Sequence, residues 1–289
     1  MDAKDVESIG VRSDLGAHNA LRDRLRNKRP LLIGVVHLRA LPGSPGAAGR
    51  PAEAIMAEVL MAAEIDARAL LEGGADGIVV ENFGDAPFFA SAVPPETVAA
   101  MAIAVKSVTA AAPGLPVGVN VLRNDARSAL GLCAVTGASF LRVNVHVGAM
   151  VTDQGLLTGQ AAETMRSRAA LVPGALLLAD VHVKHAAPLA PRPIAESARE
   201  TIGRGQADMV IVSGAGTGSE PRTDELQQVA EAVGRQRVLI GSGLTETNAL
   251  SLMAHARGAI VGTSIKTGGR LEAAVDARRV RRIRELLDS

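Results

Sequence analysis

The chain contains no tryptophan and no tyrosine, only four phenylalanines and a single cysteine among 289 residues. Without aromatic platforms there is little on which an unpaired base or a flat cofactor can stack, which argues against single-stranded nucleic-acid binding. One cysteine excludes an intrachain disulfide and fits a reducing compartment. In its apolar setting, ALGLCAV (129–135), Cys133 reads as a small core residue. Charge of one sign is not in excess: Lys and Arg number 31, Asp and Glu 30, for a net charge of +1. That balance leaves no electrostatic footprint for nucleic acid. No apolar run approaches the ~18–20 residues of a transmembrane helix, and the opening MDAKDVESIG lacks the apolar segment of a secretory signal. These absences point to a soluble, cytoplasmic protein with no nucleic-acid partner and no integral membrane segment.

What is present is aliphatic and periodic. Hydrophobic residues make up 47% of the chain. The first thirty residues are polar and read as an N-terminal extension with a short helix; residues 31–289 read as one barrel domain. Eight short β-branched runs follow, at 31–36, 77–80, 116–121, 140–145, 175–180, 209–212, 237–240 and 259–261. Between and after them lie alanine-rich segments of helical spacing, at 52–72, 95–112, 125–136, 161–170, 194–204, 223–233, 246–255 and 276–287. Gly73, Gly114, Gly137 and Gly205 stand where a left-handed helix cap is wanted. Eight strand–helix repeats without a break in composition predict a closed (β/α)8 TIM barrel of the α/β class. A doubly wound open sheet is the alternative.

Five successive strands end in polar residues of one parity, and side chains of one parity share a face of a strand. His37 shares parity with Ile33 and Val35, and Glu81 with Val79, Asn82 coming next. Asn120 stands at the end of the third run, one residue before its last, with Arg123 close behind. Phe140, Arg142, Asn144 and His146 alternate with aliphatic residues, as do Asp180, His182 and Lys184. Burying such groups is costly unless they pair or do chemistry. The pattern therefore predicts that they converge at the carboxyl ends of the strands, where barrel enzymes build their sites. Glu81 and Asp180 are candidates for general acid and base, with His37, His146 and His182 as alternatives. Lys184 is read as an anion clamp or, if desolvated, a Schiff-base amine. Glu81, His146, Asp180 and His182 also form a candidate oxygen–nitrogen set for a divalent metal, the one cofactor considered. His18 and His255 are assigned to the surface.

The last three runs end differently, in VSGAGTG (212–218), IGSGLT (240–245) and VGTSIK (261–266). Glycine lets backbone N–H groups approach an anion, and the loops after strands 7 and 8 of a barrel frequently hold a phosphate. Ser213, Gly214, Gly216, Thr217, Gly241, Ser242, Gly243, Gly262 and Thr263 are the expected phosphate-side residues, with Lys266 as counter-charge. Asn82, Asn120, Arg123 and Asn144 are expected to contact the rest of the substrate. Two long loops, 38–50 with Arg39 and Arg50 and 146–160 with Asp153 and Gln154, read as lids or specificity elements.

Taken together, IGVVHLRALPGSP, LLEGGADGIVVENFGDAPF, the long stretch VGVNVLRNDARSALGLCAVTGASFLRVNVHVGAMVTDQGLLTG, LADVHVKHAAPL, MVIVSGAGTG, LIGSGLT and GAIVGTSIK resemble the BtpA family. The resemblance spans residues 31–285, nearly everything beyond the N-terminal extension. It implies a phosphate-binding TIM barrel. It also implies a link to photosystem I biogenesis, because the family is named for a cyanobacterial member needed for stable photosystem I reaction-centre proteins. Relatives such as the SgcQ-like group are similar in organisms without photosynthesis, and the family carries no assigned catalytic residues onto this chain. Two expectations follow. The first is an enzyme acting on a small phosphorylated sugar or nucleotide-like substrate, as lyase, isomerase or hydrolase. The second is a non-catalytic assembly factor for a membrane complex, with peripheral membrane association through the basic tail ARRVRRIRELLDS (277–289). A ligand-binding regulator on the same scaffold is a third possibility, and pairing through helices into a homo-oligomer is expected.

Overall fold

A computed structural model describes residues 14–289, with side chains from Ala20 onward; the expectations for residues 1–13 and for the His18 side chain lie outside the described residues. Helix α1 (Asp14–Arg26) precedes the first strand, β1 (Leu31–His37). The chain then alternates α2 (Ala52–Glu72), β2 (Gly77–Glu81), α3 (Pro95–Ala111), β3 (Val117–Asn120), α4 (Ala126–Thr136) and β4 (Phe140–Val143). A hairpin of β5 (Ala149–Thr152) and β6 (Gly155–Thr158) intervenes before α5 (Ala161–Leu171), β7 (Leu176–Val181) and β8 (Ala186–Pro188). Helix α6 (Ile194–Gly203), β9 (Met209–Val212), α7 (Thr223–Val233), β10 (Val238–Ile240), α8 (Ala249–Met253), β11 (Gly258–Val261) and α9 (Ala277–Asp288) complete the chain.

Strands β1, β2, β3, β4, β7, β9, β10 and β11 close into one parallel barrel in that order, β11 returning to β1. Parallel strands sheathed by helices are buried on both faces and read as continuous aliphatic runs, as LLIGVV and MVIV do. The register sets His37 opposite Glu81 and Glu81 opposite Asn120, so the polar strand ends form one tier. Below that tier the interior is filled by Ile33, Val35, Val79, Phe140, Leu178, Ile211 and Ile260. Phe140 is accommodated because its neighbour on β3 is glycine: a Cβ on Gly118 would lie 2.2 Å from the ring.

Three features depart from the sequence reading. Helix α1 is more than an appendage, because Leu21 is fully buried in the barrel's inner cluster and Leu25 packs against it. The 146–160 segment is not an open loop: β5 and β6 pair with each other, β8 pairs with β5, and Met150 and Leu157 pack on Val145 and Val183. The left-handed positions also shift by one residue at two helix ends. Gly73 is right-handed (φ −74°) while Gly74 has φ +83°, and at Gly205 the left-handed residue is Gln206 (φ +56°). Gly114 and Gly137 take the expected conformation, both at φ +82°.

Candidate active site

The tier above the aliphatic interior is organised by Arg142 of β4. Its Nε and Nη2 donate to Asp180 Oδ2 and Oδ1, each at 2.9 Å, and its Nη1 donates to Glu81 Oε1 at 3.1 Å. All three side chains are at most 4% exposed. A cation between two carboxylates offsets charge that burial alone would make costly. Asn144 Nδ2 donates to Asp180 Oδ2 at 2.9 Å, and Asn120 Nδ2 donates to Glu81 Oε1 at 3.2 Å. The Ser213 hydroxyl lies 3.5 Å from Asp180 Oδ1. Asp180 is thereby saturated with donors, whereas no described donor bonds Glu81 Oε2.

The electrostatics follow from this packing. Burial pushes the Glu81 carboxyl up, but Arg142 foremost, with Lys184 and the hydrogen bond from Asn120, outweighs it and holds it below its usual value. Glu81 is therefore ionised at neutral pH, with Oε2 free to accept a hydrogen bond. His37 packs against Phe83 with ring centroids 4.7 Å apart and the planes tilted by 58°. Burial, helped by Lys266, Lys184 and Arg142 and opposed only by Glu81, pushes its imidazole down to about 4, leaving it neutral. The Lys184 amine is also held below its ordinary value, by burial first and then by Arg142.

A cavity of about 280 Å³ opens over this tier. Glu81, Arg142, Lys184 and His37 form one part of its lining, and Gly241, Ser242, Gly243, Gly262 and Thr263 form another. Thr217 and Gly218 border it as well, as does Arg279 of α9, whose Nε donates to the Ser264 carbonyl at 2.8 Å. Gly243 has φ +73°, and a Cβ there would lie 2.2 Å from Glu220 N, so only glycine lets the two loops meet.

Several expected site residues lie elsewhere. His146 turns outward, its Nε2 lying 2.7 Å from the Gly205 carbonyl oxygen beyond α6. His182 does the same, its Nε2 lying 3.1 Å from Ser197 Oγ of α6, in a second cavity of about 490 Å³ between α6 and the small sheet. The reason is that strict alternation holds only while the backbone is extended. Strand β4 ends at Val143 and β7 at Val181, and His182 then adopts φ +50°. The proposed metal set therefore does not converge, and among the described residues no group of three or more His, Cys, Asp or Glu side chains is placed to hold an ion. Lys266 is not the counter-charge of the glycine loops; its Nζ donates to the Leu271 carbonyl at 2.7 Å, away from the cradle.

Asn82 is spent on a latch, accepting from Leu122 N at 2.7 Å and donating to Asp85 at 3.1 Å. Arg123 holds the Lys184 carbonyl from Nη2 at 2.6 Å. Gly214 faces its own loop, 2.4 Å separating a hypothetical Cβ from the Glu220 carbonyl oxygen, and Gly216 lies beside His185. Arg39 and Arg50 pair with Glu58 at the surface. Two residues of the mouth had been given no role. Arg142 was legible as a charge on the inward parity of β4, but Arg279 sits in a basic helix with nothing to single it out.

Fold and site together define a TIM barrel with a buried charged cluster at its carboxyl-terminal mouth, facing a glycine-lined cradle. The chain belongs to the BtpA family, whose pattern matches residues 27–289. A relative from Synechocystis sp., named photosystem I biogenesis protein BtpA, is 45% identical over 86% of this chain and 85% of its own. An uncharacterised protein of Pyrococcus abyssi is 40% identical over 89% of this chain and 96% of its own. Among solved structures, N-(5'-phosphoribosyl)anthranilate isomerase from Pyrococcus furiosus aligns with a TM-score of 0.53 at 13% identity, covering 89% of this chain and 98% of its own; the likeness is one of fold. Among the described residues no helix is long and apolar enough to cross a membrane.

Proposed function

We propose that the protein is an enzyme acting on a small phosphorylated molecule, a sugar phosphate or nucleotide-like compound, bound at the carboxyl-terminal mouth of the barrel. The observation that carries this reading is a single cavity with an ionised base, a cation and an amine on one side and a glycine cradle on the other. The phosphate sits on backbone amides around Ser242–Gly243 and Gly262–Thr263, where glycine permits close approach, Gly241 N being already bonded to the Val212 carbonyl, with Arg279 as the nearby cation. The carbon skeleton then faces Glu81, Lys184 and His37. Glu81 removes or relays a proton, while Asn120 and Arg142 fix its Oε1. Asp180, Asn144 and Ser213 hold Arg142 in place without touching substrate. Lyase, isomerase and hydrolase chemistries all begin from such a base.

The family name attaches to photosystem I biogenesis, and an assembly role needs a free docking face. The apolar stripe of α9 does not supply one, because Val280, Ile283 and Leu287 are buried against the barrel. Inorganic phosphate at millimolar concentration should raise the unfolding midpoint by mass action. Thr263→Asp, at a half-buried position of the cradle, should abolish that shift while the unliganded midpoint stays near the parent's. No shift with phosphate or with any sugar phosphate would remove this reading.

A further inference from the structure

Lysine is scarce in this chain. It stands at positions 4, 28, 106, 184 and 266, the other cations among the 31 being arginines. Lys28 and Lys106 are exposed, and Lys266 is committed to the Leu271 carbonyl. Among the described residues only Lys184 brings a lysine to the mouth cavity, and its Nζ makes no hydrogen bond or ion pair there. An anion clamp is better served by the planar fork of arginine, and Arg279 already stands at the same mouth. A lysine at this place is the choice for an amine that must shed a proton and attack.

The backbone supports the same conclusion. His182 and His185, on either side of Lys184, have φ +50° and +57°. Left-handed non-glycine residues are uncommon and gather at functional sites, where the surroundings must hold them. Here Arg123 Nη2 holds the Lys184 carbonyl at 2.6 Å, His185 N donates to the Ala215 carbonyl at 3.0 Å, and Thr217 N donates to His185 Nε2 at 3.2 Å. The segment is thereby tied to the loop that borders the cradle.

We propose that Lys184 is a nucleophilic amine that forms an imine with the carbonyl carbon of a short phosphorylated aldehyde or ketone held in the mouth. This deepens, and rests on, the reading of the mouth as a phosphate-binding active site. The Nζ lone pair bonds to the carbonyl carbon and the C–O π pair moves to oxygen, giving a carbinolamine. Two of the three ammonium protons finally leave with that oxygen as water, and an iminium remains. Glu81, ionised and on the same cavity, is the group that relays them. The iminium then accepts the electron pair of a C–H or C–C bond at the adjacent carbon as an enamine, which is the chemistry of an isomerase or a lyase rather than a hydrolase. The depressed proton affinity of Lys184 agrees with this role.

The test incubates the full chain with dihydroxyacetone phosphate and sodium cyanoborohydride and maps adducts by peptide mass. The expected result is reduced adduct at Lys184 exceeding that at Lys28 and Lys106 by about tenfold or more, the preference of a desolvated amine over exposed ones. It should be suppressed by inorganic phosphate and absent from that site in Lys184→Arg, which keeps the charge. Equal labelling of all three lysines, together with a phosphate-induced rise in midpoint, overturns the imine and leaves the phosphate reading intact. Selective labelling of Lys184 that phosphate does not suppress supports the imine and removes phosphate from the site.

Discussion

At the scale of single residues, the mouth is governed by which charges are already satisfied. Glu81 and Asp180 were equal candidates for acid and base by position, yet Arg142 takes both oxygens of Asp180, and the free carboxylate edge belongs to Glu81. His37 offers a quantitative check. Its imidazole titrates near 6.5 when unfolded and near 4 when folded. Between those values the unfolded chain binds more protons, so stability falls as pH drops through the window. His146, His182 and His185 are also held down by burial, so the difference between variant and parent reports His37. His37→Gln should lose less stability than the parent between pH 6.5 and 4. Urea midpoints followed by far-ultraviolet circular dichroism read this, the chain having no Trp or Tyr. Equal losses in the two proteins would show that His37 is not buried neutral. Glu81 acts lower: its carboxyl is held below 4.5, so its contribution disappears only as pH falls beneath that value.

At the scale of elements, strand and helix segments were legible because the aliphatic runs and alanine-rich spacing carry their own periods. Their ends were not. The parity that places His37, Glu81, Asn120, Arg142 and Asp180 inside the barrel fails beyond the strand ends, at the first residue after β7 and by the third after β4, which is why His182 and His146 went outward. Helix α1 was read as a short helix of an extension, and its packing was not legible. DLGAHNALRDRLR looks like a polar appendage, but its Leu21 fills the end of the barrel interior opposite the site. Leu21→Ala should cost about 2–5 kcal/mol, as truncating a fully buried leucine does, in denaturant unfolding monitored by circular dichroism. An unchanged midpoint would mean that α1 does not close the barrel.

At the scale of the molecule, closure depends on bonds between the two ends of the chain. Arg284 of α9 is 4% exposed. Its Nη1 donates to Asp76 Oδ2 at 2.7 Å and to the Pro30 carbonyl at 2.9 Å, and Asp76 Oδ2 also accepts from Leu32 N at 2.9 Å. Arg257 donates to the carbonyls of Asn27 and Arg29, fixing the chain where it enters β1. Arg284→Met leaves Asp76 buried without its closest cation and should lower stability by roughly 3–5 kcal/mol, the cost of breaking a buried pair. Arg281→Ala, one turn away on the exposed face of the same basic helix, should fall within about 0.5 kcal/mol of the parent. Equal effects in equilibrium unfolding would contradict the closure role of α9.

The repeat of strand and helix, the inward parity of the polar residues and the glycines after the last three strands were determined by the sequence, since each is a local period or a local backbone need. Which carboxylate is free, which lysine reaches the mouth and which histidines leave it were decided only by the tertiary structure. Those outcomes depend on partners far along the chain, as Arg142 with Glu81 or Arg123 with Lys184. They depend also on where a strand stops being extended, and no local pattern encodes either.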